Sequence, residues 1–290
     1  MRLTGVIAAV PTPFDAAGQP ERALFEAHCG ALLAGGCDGL NVLGSTGEAN
    51  SLPHRARLAV MAWALHAGPA ARLMVGTGTP SLVETVALTE AADDLGYRTA
   101  LVLPPYYYKP LTETGLIGWY TALHEALGAR KIEISFYNYP QLTGVPLPIA
   151  VIAALAERFP ARFTGLKDSS GDLAWCRDLL EAVPALAVFP SSETSLAEAH
   201  DAGFAGCISA TANLTAGLAQ RVWNGEIKDA SELARQRATI TGQPLIASIK
   251  YLLARKYAQP QWERVLPPFA PLSAAQKAAL DTDLPRAATL

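Results

Sequence analysis

The feature that most constrains the fold is a regular alternation of short apolar runs with longer amphipathic stretches. Short runs rich in Val, Ile, Leu or Phe are typical of strands buried on both faces of a parallel sheet. Eight of them occur in this 290-residue chain, at residues 5–10, 39–42, 72–75, 99–103, 132–136, 163–166, 186–189 and 206–209. Eight such strands separated by helices predict an α/β fold, a (β/α)8 TIM barrel.

The stretches between the runs have the apolar periodicity of helices. They cover residues 21–33, 54–66, 81–95, 113–127, 148–157, 173–182 and 195–202, and a further helix is expected after the last strand. Beyond residue 224 three more helical stretches follow, at residues 229–240, 244–256 and 273–281, without a strand pattern or flexible linker. We therefore predict a barrel over residues 1–224 and a C-terminal three-helix extension over residues 225–290, packed on the barrel.

The composition argues against several classes of partner. The net charge is −3 and only 17% of residues are charged, so we expect neither a nucleic acid nor a membrane surface as partner. The first apolar run stops at Pro11, which is too early for a signal peptide, and no run reaches the ~18 residues of a membrane span. Four cysteines without C-x-x-C spacing predict reduced structural thiols in a cytoplasmic protein.

Reactive residues are expected at the carboxyl ends of the strands, where barrel enzymes carry their active sites. The second strand leads into GSTGE at residues 44–48, whose hydroxyls and backbone amides suit a carboxylate or serve only to make a turn. The fourth leads into PPYYYKP at residues 104–110, an aromatic rim for a ligand, for packing or for a subunit contact. The fifth leads into FYNYP at residues 136–140, where Tyr137 passes protons or is structural.

Lys167 is the candidate nucleophile. It follows the sixth strand within GLKDSSGD, and among seven lysines it alone is predicted at the inner, C-terminal end of a barrel strand. Burial favours the neutral amine of a lysine, and a neutral amine attacks a ketone to form an imine. The structural alternative is a lysine paired with Asp168 at the barrel rim.

Five motifs in order carry a family resemblance: GSTGE, PPYYYKP, FYNYP-x-x-TG, GLKDSSGD and GCISATAN. Together they resemble the dihydrodipicolinate synthase / N-acetylneuraminate lyase family of class I aldolases, and the resemblance covers nearly the whole chain. It implies a Schiff-base-forming lyase that acts on pyruvate or another 2-oxo acid and an aldehyde. It also implies that neither a metal nor a nicotinamide cofactor is needed, in line with five histidines that form no H-x-H or H-E-x-x-H motif. Family members are commonly homotetramers built from dimers.

The resemblance also implies residue roles. Lys167 matches the Schiff-base lysine, and Tyr137 matches the tyrosine that relays protons. Ser45 and Thr46 match the pair that holds the carboxylate of the 2-oxo acid, and their hydroxyls extend the proton relay.

Further residues complete the predicted substrate site. Ile208 matches a residue whose backbone lines the pyruvate pocket, and Tyr107 resembles a tyrosine that reaches into a neighbouring subunit's site in synthase members. The remaining predicted substrate-binding residues are Gly47, Leu142, Ser169 and Glu193.

The chain departs from the family at the outer part of the site. Leu142 stands where synthase members carry an arginine for the carboxylate of aspartate semialdehyde, and a leucine forms no bidentate pair with a carboxylate. Sialic acid lyases carry two adjacent acidic residues after the seventh strand, whereas here Glu193 is followed by Thr194. Ser191 replaces a loop glycine, and Ala210 aligns with a ligand serine of the lyases. These departures favour a smaller or less hydroxylated aldehyde.

The leading hypothesis is therefore a 2-keto-3-deoxy acid aldolase that makes or cleaves a C–C bond between pyruvate and an aldehyde. Within the same family the alternatives are dihydrodipicolinate synthase (4-hydroxy-tetrahydrodipicolinate synthase) and a dehydratase or hydratase-aldolase. An alternative of another class is a catalytically idle paralogue that binds a keto acid.

Overall fold

Eight parallel strands form a nearly closed barrel. The computed structural model describes residues 3–284, so residues 285–290 of the predicted extension lie outside the described residues. The strands are β1 (Gly5–Ala9), β2 (Gly39–Val42), β3 (Leu73–Gly76), β4 (Thr99–Val102), β5 (Glu133–Asn138), β6 (Phe163–Asp168), β7 (Ala187–Pro190) and β8 (Gly206–Ser209). Neighbours in sequence pair in parallel from β1 to β7, and β8 pairs with β1. The Ala205 amide donates to the Val188 carbonyl at 2.9 Å, which joins β8 to β7. The predicted fold class is confirmed.

Helices surround the barrel and continue beyond it. They are α1 (Arg22–Ala34), α2 (His54–Ala64), α3 (Leu82–Asp94), α4 (Glu113–Leu127), α5 (Pro140–Thr143), α6 (Ile149–Arg158), α7 (Leu173–Ala182), α8 (Ala199–Ala202), α9 (Ala212–Trp223), α10 (Ser231–Thr241), α11 (Leu245–Tyr257) and α12 (Ala274–Asp283). The last three are the predicted extension helices. The division of the chain at residue 224 stays a prediction.

The strands are buried on both faces, as their continuous apolar runs predicted. Side chains along a strand alternate between its two faces. One set therefore points into the barrel and fills its interior, and the other set faces the surrounding helices. The interior cluster consists of Ile7, Ala9, Met74, Phe189 and Ile208. The extension has its own apolar cluster, which contains Ile249, Leu253, Trp262 and Leu280.

Two details differ from the pattern-based expectation. Strands β5 and β6 run to Asn138 and Asp168, two residues further than predicted, because polar residues continue the pairing beyond the apolar run. The single helix predicted over residues 195–202 is wrong. A 3-10 turn (Glu193–Ala197) precedes the short α8, and the Ser192 hydroxyl accepts a hydrogen bond from the Thr194 amide at the start of that turn.

His28 joins the extension to the barrel. Its ring is buried, with Nδ1 2.9 Å from the Tyr257 hydroxyl and Nε2 2.9 Å from Asn213 Oδ1. The Asn213 amide in turn donates to the Ala9 carbonyl of β1 at 2.8 Å. Burial lowers the pKa of His28 to about 4, and the contact with Asn213 only partly opposes this effect.

This buried histidine predicts a loss of stability in weak acid. Unfolding returns the ring to its ordinary pKa of about 6.5, so below that pH the unfolded chain binds a proton that the native protein does not. His28 therefore makes its full contribution to the free energy of unfolding above pH 6.5, and this contribution falls as the pH drops toward 4. We expect His28 to account for a loss of about 2 kcal/mol between about pH 7 and pH 5, measured by urea unfolding.

His28→Gln should remove that part of the pH dependence. His200→Gln is the matched control, because His200 is an exposed histidine, and it should keep the wild-type slope. An unchanged slope in His28→Gln would contradict the assignment.

Candidate active site

Strands β5 and β6 place a lysine beside a tyrosine at the carboxyl end of the barrel. Tyr137 and Lys167 are register partners, so their side chains point to the same face of the sheet. Both side chains are buried, and Lys167 Nζ lies 4.6 Å from the centroid of the Tyr137 ring. Among residues 3–284 Lys167 has no ion-pair partner, so the alternative in which it pairs with Asp168 is wrong.

Asp168 instead fixes the ends of the two strands. It points away from Lys167 because successive side chains of a strand alternate. Its carboxylate accepts from the Asn138 amide at 2.7 Å and from the Ser170 hydroxyl at 2.8 Å. Burial raises the pKa of Asp168, and these hydrogen bonds oppose the rise. The network sets the position from which Tyr137 and Lys167 enter the barrel.

The GSTGE turn brings hydroxyls to the same place. After β2 the chain forms a 3-10 turn over Ser45–Gly47, and the Ser45 hydroxyl lies 3.4 Å from that of Tyr137. The Thr12 hydroxyl donates to the Gly47 carbonyl at 2.8 Å. A Cβ on Gly47 would come within 3.1 Å of the Val10 carbonyl, so glycine lets the turn lie against the end of β1.

A buried ion pair holds the end of this turn. Glu48 adopts a left-handed conformation with φ 55°, which is unusual for a residue with a side chain. Its fully buried carboxylate forms an ion pair with Lys250 of α11 and accepts from the Leu266 amide at 2.7 Å. Burial lowers the pKa of Lys250 to about 8, and the charge of Glu48 opposes this. The GSTGE turn is thereby connected to the extension.

Most of the predicted site residues meet in one cavity of about 620 Å³, a volume suited to a small-molecule ligand. The predicted residues that line it are Ser45, Thr46, Tyr137, Leu142, Lys167, Ser169 and Ile208. Ser191 and Ala210, two further positions that depart from the family pattern, also line it. Gly47, Tyr107 and Glu193 do not line this cavity in the described chain.

Glu193 is fully buried and does not line the cavity, but it contacts Arg237, which does. Its carboxylate accepts from the hydroxyls of Ser209, Thr211 and Thr215 and from the guanidinium of Arg237. Direct contact between Glu193 and a substrate stays a prediction, and in this structure the group that Glu193 presents to the cavity is Arg237.

Tyr107 lies outside, at the rim that follows β4. It is 72% exposed and packs edge to face against Tyr108, which is 77% exposed. Large aromatic side chains with this exposure suit a contact with another molecule. A role for Tyr107 in a neighbouring subunit's site stays a prediction.

Sequence reasoning missed the residues that the extension contributes. Arg237 of α10 lines the cavity, and its charge opposes the rise in the pKa of Tyr139 that burial causes. The outer wall is mostly apolar and is formed by Pro244, Leu245, Ile246, Ala247, Pro268, Phe269, Ala270 and Pro271, with Gln276 beside them. No motif surrounds these residues, so only their position in space assigns them to the site.

The arrangement suits nucleophilic chemistry on a small carbonyl compound. The cavity combines the amine of Lys167, the phenol of Tyr137 and the hydroxyls of Ser45 and Thr46 with a mostly apolar outer wall. Within residues 3–284 no group of three or more His, Cys, Asp or Glu side chains is placed to hold a metal ion. In the same part of the chain, every helix is too short or too polar to cross a bilayer.

Comparison with known proteins identifies the group to which this site corresponds. The model of the dihydrodipicolinate synthetase family matches residues 2–287. A DapA-like lyase of Chloroflexus aurantiacus is 33% identical over 283 residues, which cover 95% of this chain and 94% of the relative.

Solved structures agree with this. Dihydrodipicolinate synthase from Agrobacterium tumefaciens superposes with a TM-score of 0.91 at 27% identity over 97% of this chain and 98% of its own. Escherichia coli YagE, solved in complex with pyruvate, superposes with a TM-score of 0.87 at 28% identity over 96% of each chain. YagE is provisionally named a 2-dehydro-3-deoxy-D-gluconate aldolase.

Proposed function

The chain belongs to the dihydrodipicolinate synthetase family and is a lyase, and from this premise we propose that Lys167 forms a Schiff base with pyruvate. The observation that carries the proposal is the position of Lys167: a buried amine with no acidic partner among residues 3–284, beside the Tyr137 phenol, in the cavity described above. A lysine amine that opens onto such a cavity is placed to attack a ketone and form an imine. The complex of YagE with pyruvate supports pyruvate as the 2-oxo acid.

The first half of the reaction uses the inner end of the cavity. Ser45 and Thr46 hold the carboxylate of pyruvate, which presents C2 to the amine of Lys167. The nitrogen bonds to C2, and the carbonyl oxygen takes protons and leaves as water, so that a protonated imine remains. Tyr137, whose hydroxyl contacts that of Ser45, passes the protons.

The second half makes the C–C bond. The imine withdraws electrons from C3, which loses a proton and becomes the nucleophilic carbon of an enamine. C3 then bonds to the carbonyl carbon of an aldehyde, whose oxygen takes up a proton. Water adds to C2 and releases a 4-hydroxy-2-oxo acid together with free Lys167. The reverse sequence cleaves the same bond.

The outer half of the cavity selects the aldehyde, and we propose a 2-keto-3-deoxy acid aldolase. The provisional name of YagE supports this assignment. A synthase acting on aspartate semialdehyde is the second candidate, supported by synthase relatives, one of which is 34% identical and covers 80% of this chain. Leu142 argues against it, because an apolar side chain offers no partner to the semialdehyde carboxylate. Turnover of pyruvate with aspartate semialdehyde distinguishes the two.

Assembly and location also belong to the proposal. We propose a homotetramer in which Tyr107 approaches the site of a neighbouring subunit, supported by its exposure at the rim. We propose a cytoplasmic location, supported by four cysteines that are all buried as free thiols.

Borohydride reduction in the presence of pyruvate should attach the reduced pyruvate imine to Lys167. The reduction turns a transient imine into a stable secondary amine, which peptide mass spectrometry locates. Lys167→Met should abolish the adduct. Lys109→Met should retain it, because Lys109 donates to the Thr143 carbonyl outside the cavity. Absence of an adduct with every 2-oxo acid tested would refute the Schiff base and leave the idle paralogue. Persistence of the adduct in Lys167→Met would refute Lys167 as the residue that forms it.

Tyr137→Phe should lower kcat by about 10²–10⁴-fold, because it removes the hydroxyl that passes protons. The thermal unfolding midpoint should change little, since the change deletes one oxygen whose observed contact is 3.4 Å long. Tyr108→Phe, at an exposed tyrosine, is the matched control and should keep wild-type kcat. Wild-type turnover by Tyr137→Phe would rule out the relay.

A further inference from the structure

Arg237 reaches the cavity from outside the barrel. It lies on α10, and its Nη1 donates to Glu193 Oε2 at 2.9 Å, to the Ser209 hydroxyl at 3.1 Å and to the Thr211 hydroxyl at 2.8 Å. The side chain is 21% exposed, whereas the side chain of Glu193 is fully buried. One corner of the guanidinium is therefore held by buried acceptors, and the side chain also lines the cavity.

Glu193 holds the guanidinium of Arg237 in a fixed position. Besides Arg237, three hydroxyl groups donate to its two carboxylate oxygens, and they belong to Ser209, Thr211 and Thr215. A buried carboxylate with this many donors is held in one orientation, and so is the arginine that binds it. The network positions a cation at the outer end of the site before any ligand arrives.

The guanidinium keeps unused donors. Among the described residues, every hydrogen bond that the guanidinium of Arg237 donates comes from Nη1, so Nε and Nη2 remain available. The N–H groups of these two nitrogens point the same way along one edge of the planar group. That edge matches the two oxygens of a carboxylate.

The other residues that line the cavity restrict the groups that the ligand can carry. Lys167 and Arg237 are the only charged side chains among the described residues that line the cavity, so no acidic group there can receive an ammonium. Apolar side chains such as Leu142, Leu245 and Phe269 line the same cavity. A ligand that spans this space has a carboxylate at each end and an apolar or neutral middle.

We propose that Arg237 is a specificity-determining residue that binds a carboxylate at the end of the substrate remote from C2. The inference rests on the proposed Schiff base at Lys167 and deepens it. The aldehyde then carries its own carboxylate, and its addition to C3 of the enamine, followed by uptake of water at C2, gives a 4-hydroxy-2-oxo dicarboxylic acid. Arg237 supplies from α10 the kind of group that Leu142 does not supply from the loop after β5.

The proposal leaves room for only one kind of semialdehyde. Aspartate semialdehyde has a terminal carboxylate, but its neighbouring ammonium would lie close to the guanidinium without an acidic partner. Like charges at short range repel each other, and no acidic side chain among the described cavity residues offsets this repulsion. The same chain without the ammonium, 4-oxobutanoate, fits the charges of the cavity.

A trapping competition tests the inference without knowledge of the aldehyde. The full-length protein is mixed with equal amounts of a 2-oxo monocarboxylic acid and the 2-oxo dicarboxylic acid of the same chain length. The imines on Lys167 are then reduced with borohydride. The pairs are 2-oxopentanoate with 2-oxoglutarate, 2-oxohexanoate with 2-oxoadipate, and 2-oxoheptanoate with 2-oxopimelate. Mass spectrometry gives the ratio of the two adducts, and pyruvate is the reference that reports on Lys167 itself.

The wild-type protein should favour the dicarboxylate by about 10- to 100-fold at one chain length or more, the range expected for hydrogen bonds to a charged group. Arg237→Met should bring the ratio close to one. Arg237→Lys should give an intermediate ratio, because lysine keeps the charge but loses the fork, and it also keeps a partner for Glu193 if Arg237→Met folds poorly. Arg235→Met, on the same helix but outside the cavity, should keep the wild-type ratio.

The outcomes separate this inference from its premise. Pyruvate adducts without a preference for any dicarboxylate, or a preference that survives in Arg237→Met, would overturn the role of Arg237 and leave the Schiff base intact. A wild-type protein that traps no pyruvate would overturn the proposed function, and this inference would fall with it.

Discussion

The active site depends on a buried ion pair that lies outside it. Glu48 and Lys250 are both fully buried, and together they connect the GSTGE turn to α11. Removing one partner of such a pair leaves an uncompensated charge in the interior and typically costs about 3–5 kcal/mol. Lys250 Nζ also lies 4.1 Å from the centroid of the Phe14 ring, where a cation is favourably placed. The turn that presents Ser45 is therefore held by the extension as well as by the barrel.

The same pair explains why only one of two buried lysines is suited to chemistry. Lys250 is enclosed by protein and has an acidic partner, so its amine is occupied and no substrate reaches it. Lys167 is almost as well buried, but it lies against an aromatic ring and opens onto the cavity. Burial alone does not make a nucleophile; burial beside a space large enough for a carbonyl compound does.

The positions of the inner candidate residues could be predicted from the sequence, because these residues follow strand periodicity. Tyr137 and Lys167 each stand at the end of an apolar run, and parallel neighbours in register bring them together. The strand ends themselves were predicted two residues too early, since Asn138 and Asp168 are polar yet bonded to each other within the sheet. Apolar periodicity cannot detect a strand that continues through paired polar groups.

The outer half could not be predicted in the same way, because its residues meet only through tertiary packing. Arg237 stands on an extension helix without any motif, 44 residues after the carboxylate that holds it. Glu193 was predicted to bind substrate from its place after β7, yet its carboxylate accepts hydrogen bonds from the hydroxyls of Ser209 and Thr211 and does not line the cavity.

The barrel and the extension therefore contribute different parts of the cavity. The barrel strands place the lysine, the tyrosine and the GSTGE turn, which the proposed reaction through C2 of a 2-oxo acid uses. The extension supplies a charged side chain and most of the apolar wall, which in our proposal contact the second substrate. In that proposal, Leu142 and Arg237 determine the choice of aldehyde, and neither belongs to the inner end of the cavity. The proposed chemistry of Lys167 is therefore independent of the residues proposed to select the aldehyde.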